Sequence, residues 1–148
     1  FDTTTFSRIV KGFVIQGGNV TTSERLTPQL IRRASRTIID EPNSVKHERG
    51  IVSMARSASP NTATTSFFIL AGAAPHLDRS FAAFGRVLRG MEAVDAINTA
   101  PAEENEKPDN PVRIKRAAIT RCPPAAAVPP AVVAPTPPPA PKEPAGER

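Results

Sequence analysis

The chain has 148 residues, which is enough for one domain, and its formal net charge at pH 7 is +5. A single cysteine, Cys122, excludes an intrachain disulfide, and no apolar run approaches transmembrane length. His47 and His76 are the two histidines, and neither has cysteines or carboxylates at metal-ligand spacing, so we expect no metal, no cofactor and no membrane span.

The first predicted elements are two short apolar segments, residues 6–10 and residues 13–16, which are separated by Gly12. Glycine favours a bend at this point, and Gly17 with Gly18 ends the second segment. We therefore predict two strands joined by a tight bend.

Residues 19–38 are polar and basic, and they include a short predicted helix over residues 28–33, which Thr27 caps and which begins with proline. Four arginines lie within residues 25–36, and four more basic residues lie within residues 113–121. Either cluster would suit an acidic partner or nucleic acid, but the chain has no Trp or Tyr for base stacking. We interpret both clusters as solvated faces and expect no nucleic-acid partner.

The middle of the chain alternates short apolar runs with turn signals, which is typical of an antiparallel barrel or sandwich. His47 has charged neighbours on both sides, and we expect it in a surface turn. The predicted elements are, in order, a turn at 40–43, a strand at 51–55, a loop at 57–65, a buried strand at 66–71, a strand at 82–88, a helix at 91–98, a loop at 99–111 and a closing strand at 112–120.

The end of the chain differs in composition, because residues 123–148 hold ten of the 17 prolines and otherwise consist mostly of alanine and valine. Proline lacks the N–H that helices and sheets require, so we predict a globular domain over residues 1–122 and a disordered, extended tail over residues 123–148. Pro-x-x-Pro spacings such as residues 135–138 are typical of segments that bind an aromatic groove on a partner, although a plain spacer is the more frequent explanation.

Three separate motifs occur in a fixed order: FSRIVKGFVIQGG at 6–18, SMAR and SFFI at 53–56 and 66–69, and HLD and FG at 76–78 and 84–85. Together they resemble the bacterial branch of the cyclophilins, the peptidyl-prolyl cis/trans isomerases, over about residues 1–121. The resemblance implies a mainly β fold, a closed antiparallel eight-stranded barrel with capping helices. Because the chain opens inside a family motif, we expect an N-terminally truncated domain that lacks the opening strands and first helix.

The resemblance implies that Arg8 is the catalytic residue. Rotation about a peptide bond before proline has a barrier of about 18–20 kcal/mol, and a fixed cationic donor near the proline nitrogen stabilises the twisted state. Arginine suits this role because it is always charged and has several donors on a planar group. The alternative is a structural arginine that pairs with a carboxylate.

The same resemblance implies a set of substrate-binding residues: Phe13, Val14, Gln16, Ala55, Arg56, Ser66, Phe68, His76, Leu77 and Phe81. The apolar members would hold the proline ring, although composition alone favours ordinary core positions for them. Gln16 would bind the substrate backbone, and Ala55 with Arg56 would form the edge along which the substrate lies extended.

Several of these positions depart from the best-known family pattern. Ser7, Ser66 and Phe81 replace polar residues that often flank the pocket, Val14 replaces a methionine, and His76 replaces a tryptophan that some members use to bind cyclosporin. Each lost polar contact costs about 1 kcal/mol of positioning. The departures leave two functions open, which are an isomerase that assists protein folding and a proline-peptide binding or chaperone module with reduced or lost turnover.

Under either function we expect the partners to be proline-containing peptides and unfolded chains, bound by a monomer. The resemblance implies that relatives with this loop and a proline-rich end are bacterial and that many of them carry export signals. This favours a periplasmic or extracytoplasmic location and leaves a cytoplasmic one open.

Overall fold

The computed structural model describes residues 1–120, so the predicted tail at 123–148 and Cys122 lie outside the described residues. Two short 3-10 helices, at Val20–Thr22 and Pro75–Leu77, lie between the main elements. The main elements are β1 (Arg8–Val10), β2 (Val14–Gly17), α1 (Pro28–Ala34), β3 (Ile51–Met54), β4 (Phe67–Leu70), β5 (Ala83–Arg86) and α2 (Met91–Asn98).

The five strands form one antiparallel sheet in the order β1-β2-β4-β3-β5. Its register pairs Arg8 with Gln16, Gln16 with Phe68 and Phe68 with Ser53, so these four residues form one row across the sheet. Directly paired side chains of adjacent strands point to the same face. The register therefore brings an arginine, a glutamine and a phenylalanine from three strands to one face.

The two faces of the sheet pack against different neighbours. The face with the row carries a core cluster that includes Val14, Leu70 and Leu77. Ile9 and Ile15 lie on the other face, where they pack against Val94 of α2. The predicted amphipathic helix is thus confirmed, and it supports the sheet from the side opposite the row.

The predicted short helix is also confirmed, since the Thr27 hydroxyl accepts a hydrogen bond from the Leu30 N–H (3.2 Å) and proline occupies the first helical position. The arginines of this segment are exposed, as expected for a solvated face. Within residues 1–120, no helix combines the length and the apolar composition that crossing a bilayer requires.

The predicted closing strand at 112–120 is wrong. This segment makes a single isolated bridge between Thr5 and Arg113, although its backbone also bonds to Thr3 and Phe6. Thr3 has a left-handed backbone conformation (φ 64°), which interrupts the extended partner that a continuous ladder needs.

The mainly β class is confirmed. No hydrogen-bonded ladder joins the edge strands β1 and β5 in the part of the chain that the structure describes. The closed eight-stranded barrel therefore stays a prediction.

Candidate functional site

One face of the sheet carries a cavity of about 230 Å³. Pockets for drug-sized ligands are usually larger, about 300–1,000 Å³, so this cavity suits a single small ring. Ten of the sequence-predicted site residues line it: Arg8, Phe13, Val14, Gln16, Ala55, Arg56, Phe68, His76, Leu77 and Phe81. Ser66, the remaining predicted residue, lies outside it and lines an adjoining polar groove with Thr62 and Thr64.

The floor and walls of the cavity are apolar. Val14, Phe68 and Leu77 are buried and also belong to the core cluster, so one set of side chains serves both packing and cavity. Phe81 contacts Phe68 edge-on, with ring centroids 5.8 Å apart, and the Phe13 ring lies 5.4 Å from the His76 ring. These contacts between aromatic rings fix the shape of the cavity.

Arg8 lies at the polar end of the cavity, where its guanidinium has two partners. Its Nε donates to Oε2 of Glu106 (2.6 Å), and Nη1 donates to Oε1 of Gln16 (3.3 Å). Arg8 thus pairs with a carboxylate, as the structural alternative expects, and also lines the cavity. Because arginine has five N–H donors, three have no acceptor within residues 1–120.

The Gln16 side chain is oriented by the same contact. Its carbonyl oxygen accepts from Arg8, so its amide group is left to donate. A side chain with one bonded end presents its other end in a defined direction. Gln16 also lines the adjoining groove, and it therefore connects the apolar cavity to that groove.

Arg56 reinforces the rim of the cavity. Its guanidinium carbon lies 4.5 Å from the Phe81 ring centroid, and its terminal nitrogens donate to the carbonyl oxygens of Ser57 (3.0 Å) and Ser80 (3.2 Å). Its Nε lies 3.1 Å from Oδ2 of Asp40, a distance that makes an ion pair although the alignment is too poor for a hydrogen bond. Arg56 therefore joins several segments around the Phe81 ring.

His47 supports the cavity from behind, which corrects the prediction of a surface turn. Only 2% of the residue is exposed, and its ring stacks against Phe68 with centroids 6.4 Å apart. Its ring nitrogens lie 3.3 Å from Oδ1 of Asp78 and 3.1 Å from the hydroxyl of Ser53. The prediction failed because the neighbours of His47 along the chain are charged, whereas its burial comes from residues far away in sequence.

Asp78 anchors this network. Its carboxylate accepts the backbone N–H of His47 (2.7 Å) and pairs with Lys46 (3.0 Å), and these two contacts hold the pKa of Asp78 below its usual range. Although Ser53, His47 and Asp78 are arranged like a nucleophilic triad, Ser53 is fully buried and has no access to a substrate. Within residues 1–120, no group of three or more histidine, cysteine or acidic side chains is arranged to hold a metal.

Comparison with known proteins places the chain in a family. A sequence profile of the family described as "Cyclophilin type peptidyl-prolyl cis-trans isomerase/CLD" matches residues 1–119. The chain is 34% identical to peptidyl-prolyl cis-trans isomerase-like 3 of Dictyostelium discoideum over 121 residues, which cover 80% of this chain and 73% of that protein. The chain therefore belongs to the cyclophilin-type peptidyl-prolyl isomerase family.

A solved structure leads to the same family. The cyclophilin-type peptidyl-prolyl cis-trans isomerase of Cryptosporidium parvum, crystallised in the presence of the dipeptide Ala-Pro, superposes with a TM-score of 0.65 at 31% identity. The match covers 78% of this chain and 73% of that one.

Other relatives are much longer than the matched region. The chain is 40% identical to peptidyl-prolyl cis-trans isomerase CYP23 of Arabidopsis thaliana over 103 residues, which are 68% of this chain and only 46% of that protein. It likewise spans 36% of cyp11 of Rhizopus delemar. These relatives are eukaryotic, so the narrower prediction of a bacterial branch is not supported.

Proposed function

We propose that the protein is a peptidyl-prolyl cis/trans isomerase that acts on X-Pro bonds in extended or unfolded chains and thereby assists protein folding. The observation that carries this proposal is the arrangement of Arg8 and Gln16 beside a small apolar cavity floored by Phe68. This arrangement offers a ring-sized apolar site and a fixed cation within one short stretch of sheet.

In the proposed mechanism, no covalent bond forms or breaks. Phe13, Phe68 and Leu77 hold the proline ring of the substrate. The substrate residue before proline then rotates about the X-Pro peptide bond. In the twisted state the amide resonance is lost, and the proline nitrogen becomes a better hydrogen-bond acceptor. The N–H groups of Arg8 that have no hydrogen-bond partner among residues 1–120 donate to this nitrogen, and they stabilise the twisted state more than either planar state.

The remaining site residues hold the substrate backbone in this proposal. The free amide group of Gln16 donates to a substrate carbonyl. Ala55 and Arg56 form the edge along which an extended peptide lies, and Ser66 contacts the residues that enter the adjoining groove. Main-chain contacts of this kind select an extended conformation rather than a particular sequence.

Three further residues complete the site. Val14 and Phe81 are apolar, His76 packs against Phe13, and together they enclose the ring. Phe81 offers no hydrogen-bond donor to the substrate carbonyl. We expect this to lower the rate relative to relatives with a donor at the Phe81 position, by the loss of about 1 kcal/mol of positioning.

The closed eight-stranded barrel belongs to the same proposal. A second groove, on another part of the sheet, is apolar and open, and its lining includes Phe1, Met54, Phe67 and Phe84. A closed barrel would bury these apolar side chains, and their grouping in one groove therefore supports the closed eight-stranded barrel.

The test is exchange NMR on a short Ala-Pro peptide with substoichiometric protein. We expect exchange cross-peaks between the cis and trans signals with the wild type, and none with Arg8→Ala. Arg113→Ala is the matched control, because Arg113 is also a half-exposed arginine paired with a carboxylate, that of Glu24, but does not line the cavity. Unchanged exchange with a folded Arg8→Ala protein would refute the catalytic role.

One observation favours a second function, a proline-peptide binding or chaperone module with reduced or lost turnover. Ser66 lies outside the cavity and Phe81 has no donor, so the apolar site is retained while polar substrate contacts are fewer. This function predicts peptide-induced shifts at the cavity residues without exchange cross-peaks at catalytic protein levels.

A further inference from the structure

We propose that Glu106 is a positioning residue for Arg8, whose carboxylate holds the guanidinium in the orientation that presents its free N–H groups to the cavity. The inference rests on the proposed function, because it assigns Glu106 an effect on the step that Arg8 promotes. The two residues are 98 positions apart in the chain, and no sequence motif connects them.

The loop that carries Glu106 is tied to the strand that carries Arg8. The carbonyl oxygen of Glu106 accepts a hydrogen bond from the N–H of Ile9 (2.8 Å), the residue that follows Arg8. The N–H of Glu106 donates to the carbonyl of Glu103 (2.9 Å), and Glu103 in turn donates to Lys107 (2.8 Å). These bonds place Glu106 beside the Arg8 side chain independently of the ion pair itself.

The backbone of Glu106 is also unusual. Its φ of 67° lies in the left-handed region, which is unfavourable for a residue with a Cβ. Such a conformation persists where the surroundings over-determine it, and it is concentrated at functional sites. Here it directs an acidic side chain toward Arg8 from a loop of exposed polar residues.

The ion pair and the glutamine contact together restrain the guanidinium at two points. Glu106 binds Nε and Gln16 binds Nη1, so rotation about the last side-chain bonds of Arg8 would break at least one contact. A donor that is already oriented loses no further freedom when the substrate twists. The side chains of Arg8 and Glu106 are both about 40% exposed, and water therefore weakens the attraction between their charges. We attribute the effect of this ion pair to the orientation of the guanidinium rather than to the strength of the charge interaction.

Three substitutions separate orientation from charge and from backbone strain. Glu106→Ala removes the acceptor. Glu106→Gly also removes it but accommodates the positive φ without strain. Glu106→Gln keeps an oxygen that accepts from Nε and loses the charge. Glu104→Ala is the matched control, since Glu104 is an exposed acid in the same loop.

Exchange NMR with the Ala-Pro peptide gives kcat and KM for each variant. We expect Glu106→Ala and Glu106→Gly to lower kcat about tenfold with less than about twofold change in KM, as for an interaction that acts in the transition state. Glu106→Gln should recover most of kcat, and Glu104→Ala should match the wild type. The Nε–H signal of Arg8 in nitrogen-15 spectra should be protected from solvent exchange in the wild type, Glu106→Gln and Glu104→Ala, and should lose this protection in Glu106→Ala and Glu106→Gly.

Each contrary result has a distinct meaning. Turnover that depends on Arg8 but is unchanged in Glu106→Ala and Glu106→Gly overturns the role of Glu106 and leaves the proposed function standing. Loss in Glu106→Ala without loss in Glu106→Gly assigns the effect to the backbone and also overturns it. A wild type that is folded and inactive overturns the proposed function, and the role of Glu106 with it.

Discussion

Asn98 tests how the fold supports the site, because its side chain joins α2 to the bend between β1 and β2. Its amide nitrogen donates to the carbonyl oxygens of Val10 (2.8 Å) and Val14 (3.0 Å), and its carbonyl oxygen accepts from the Gly12 N–H (2.7 Å). This bend leads directly into Phe13 of the cavity wall. Asn98→Ala removes all three hydrogen bonds.

The expected loss follows from the burial of each bond. The bond to Val14 is buried, and an unpaired buried group costs about 1–3 kcal/mol. The bonds to Val10 and Gly12 are partly buried, so water replaces part of each and the loss is about 0.5–1 kcal/mol apiece. We therefore expect Asn98→Ala to lower the free energy of unfolding by about 3 kcal/mol.

Urea denaturation followed by far-ultraviolet circular dichroism measures this loss in a chain without Trp or Tyr. Asn98→Asp should destabilise more than alanine, because it keeps the acceptor for Gly12 but sets a charged oxygen against two carbonyls. Asn110→Ala, at an exposed position, should change stability by no more than about 0.5 kcal/mol. A loss of less than about 1 kcal/mol in Asn98→Ala at unchanged m-value would refute the reasoning.

Three further outcomes are expected. The backbone N–H of His47 lowers the pKa of Asp78, so the stability that this carboxylate contributes is present above about pH 4, its unfolded pKa, and is lost as pH falls through the lower folded pKa. In acid denaturation, the free energy of unfolding should therefore fall less steeply with decreasing pH in Asp78→Asn than in the wild type. Gly72→Ala would bring a Cβ to 2.5 Å from the carbonyl oxygen of Gly12, and we expect a loss of about 1–3 kcal/mol in urea denaturation. Arg56→Ala should weaken Ala-Pro peptide binding in NMR titrations by about threefold or more, since the rim ring loses its cation contact, and unchanged affinity would contradict this.

The Arg8–Glu106 pair bears on how the two roles considered for Arg8 relate to each other. A structural arginine paired with a carboxylate and a catalytic arginine facing a pocket were alternatives at the level of sequence. In the fold, Arg8 binds Glu106 through one nitrogen and also lines the cavity, so the geometry that each alternative requires is present at once. The ion pair therefore gives no reason to reject the proposed catalytic role.

Local signals in the sequence were sufficient for most elements. Thr27 and the proline after it determine where α1 begins, and the apolar spacing of residues 91–98 determines α2. The motif around Arg8 and the paired phenylalanines at 67–68 indicated strands that the structure confirms at nearly the same bounds. The motifs also indicated ten of the residues that line the cavity, because the family keeps those residue types at fixed spacing along the chain.

By itself, then, the sequence determined the family, the mainly β class and the residues that form the cavity. Only the tertiary structure decided the burial of His47, the hydrogen bonds of Asn98 to the bend between β1 and β2, and the contact between Arg8 and Glu106. It also decided that residues 112–120 form no continuous strand. The physical reason is the same in each case: spacing along the chain reports which residues share an element, whereas these features depend on hydrogen bonds and burial between segments far apart in sequence.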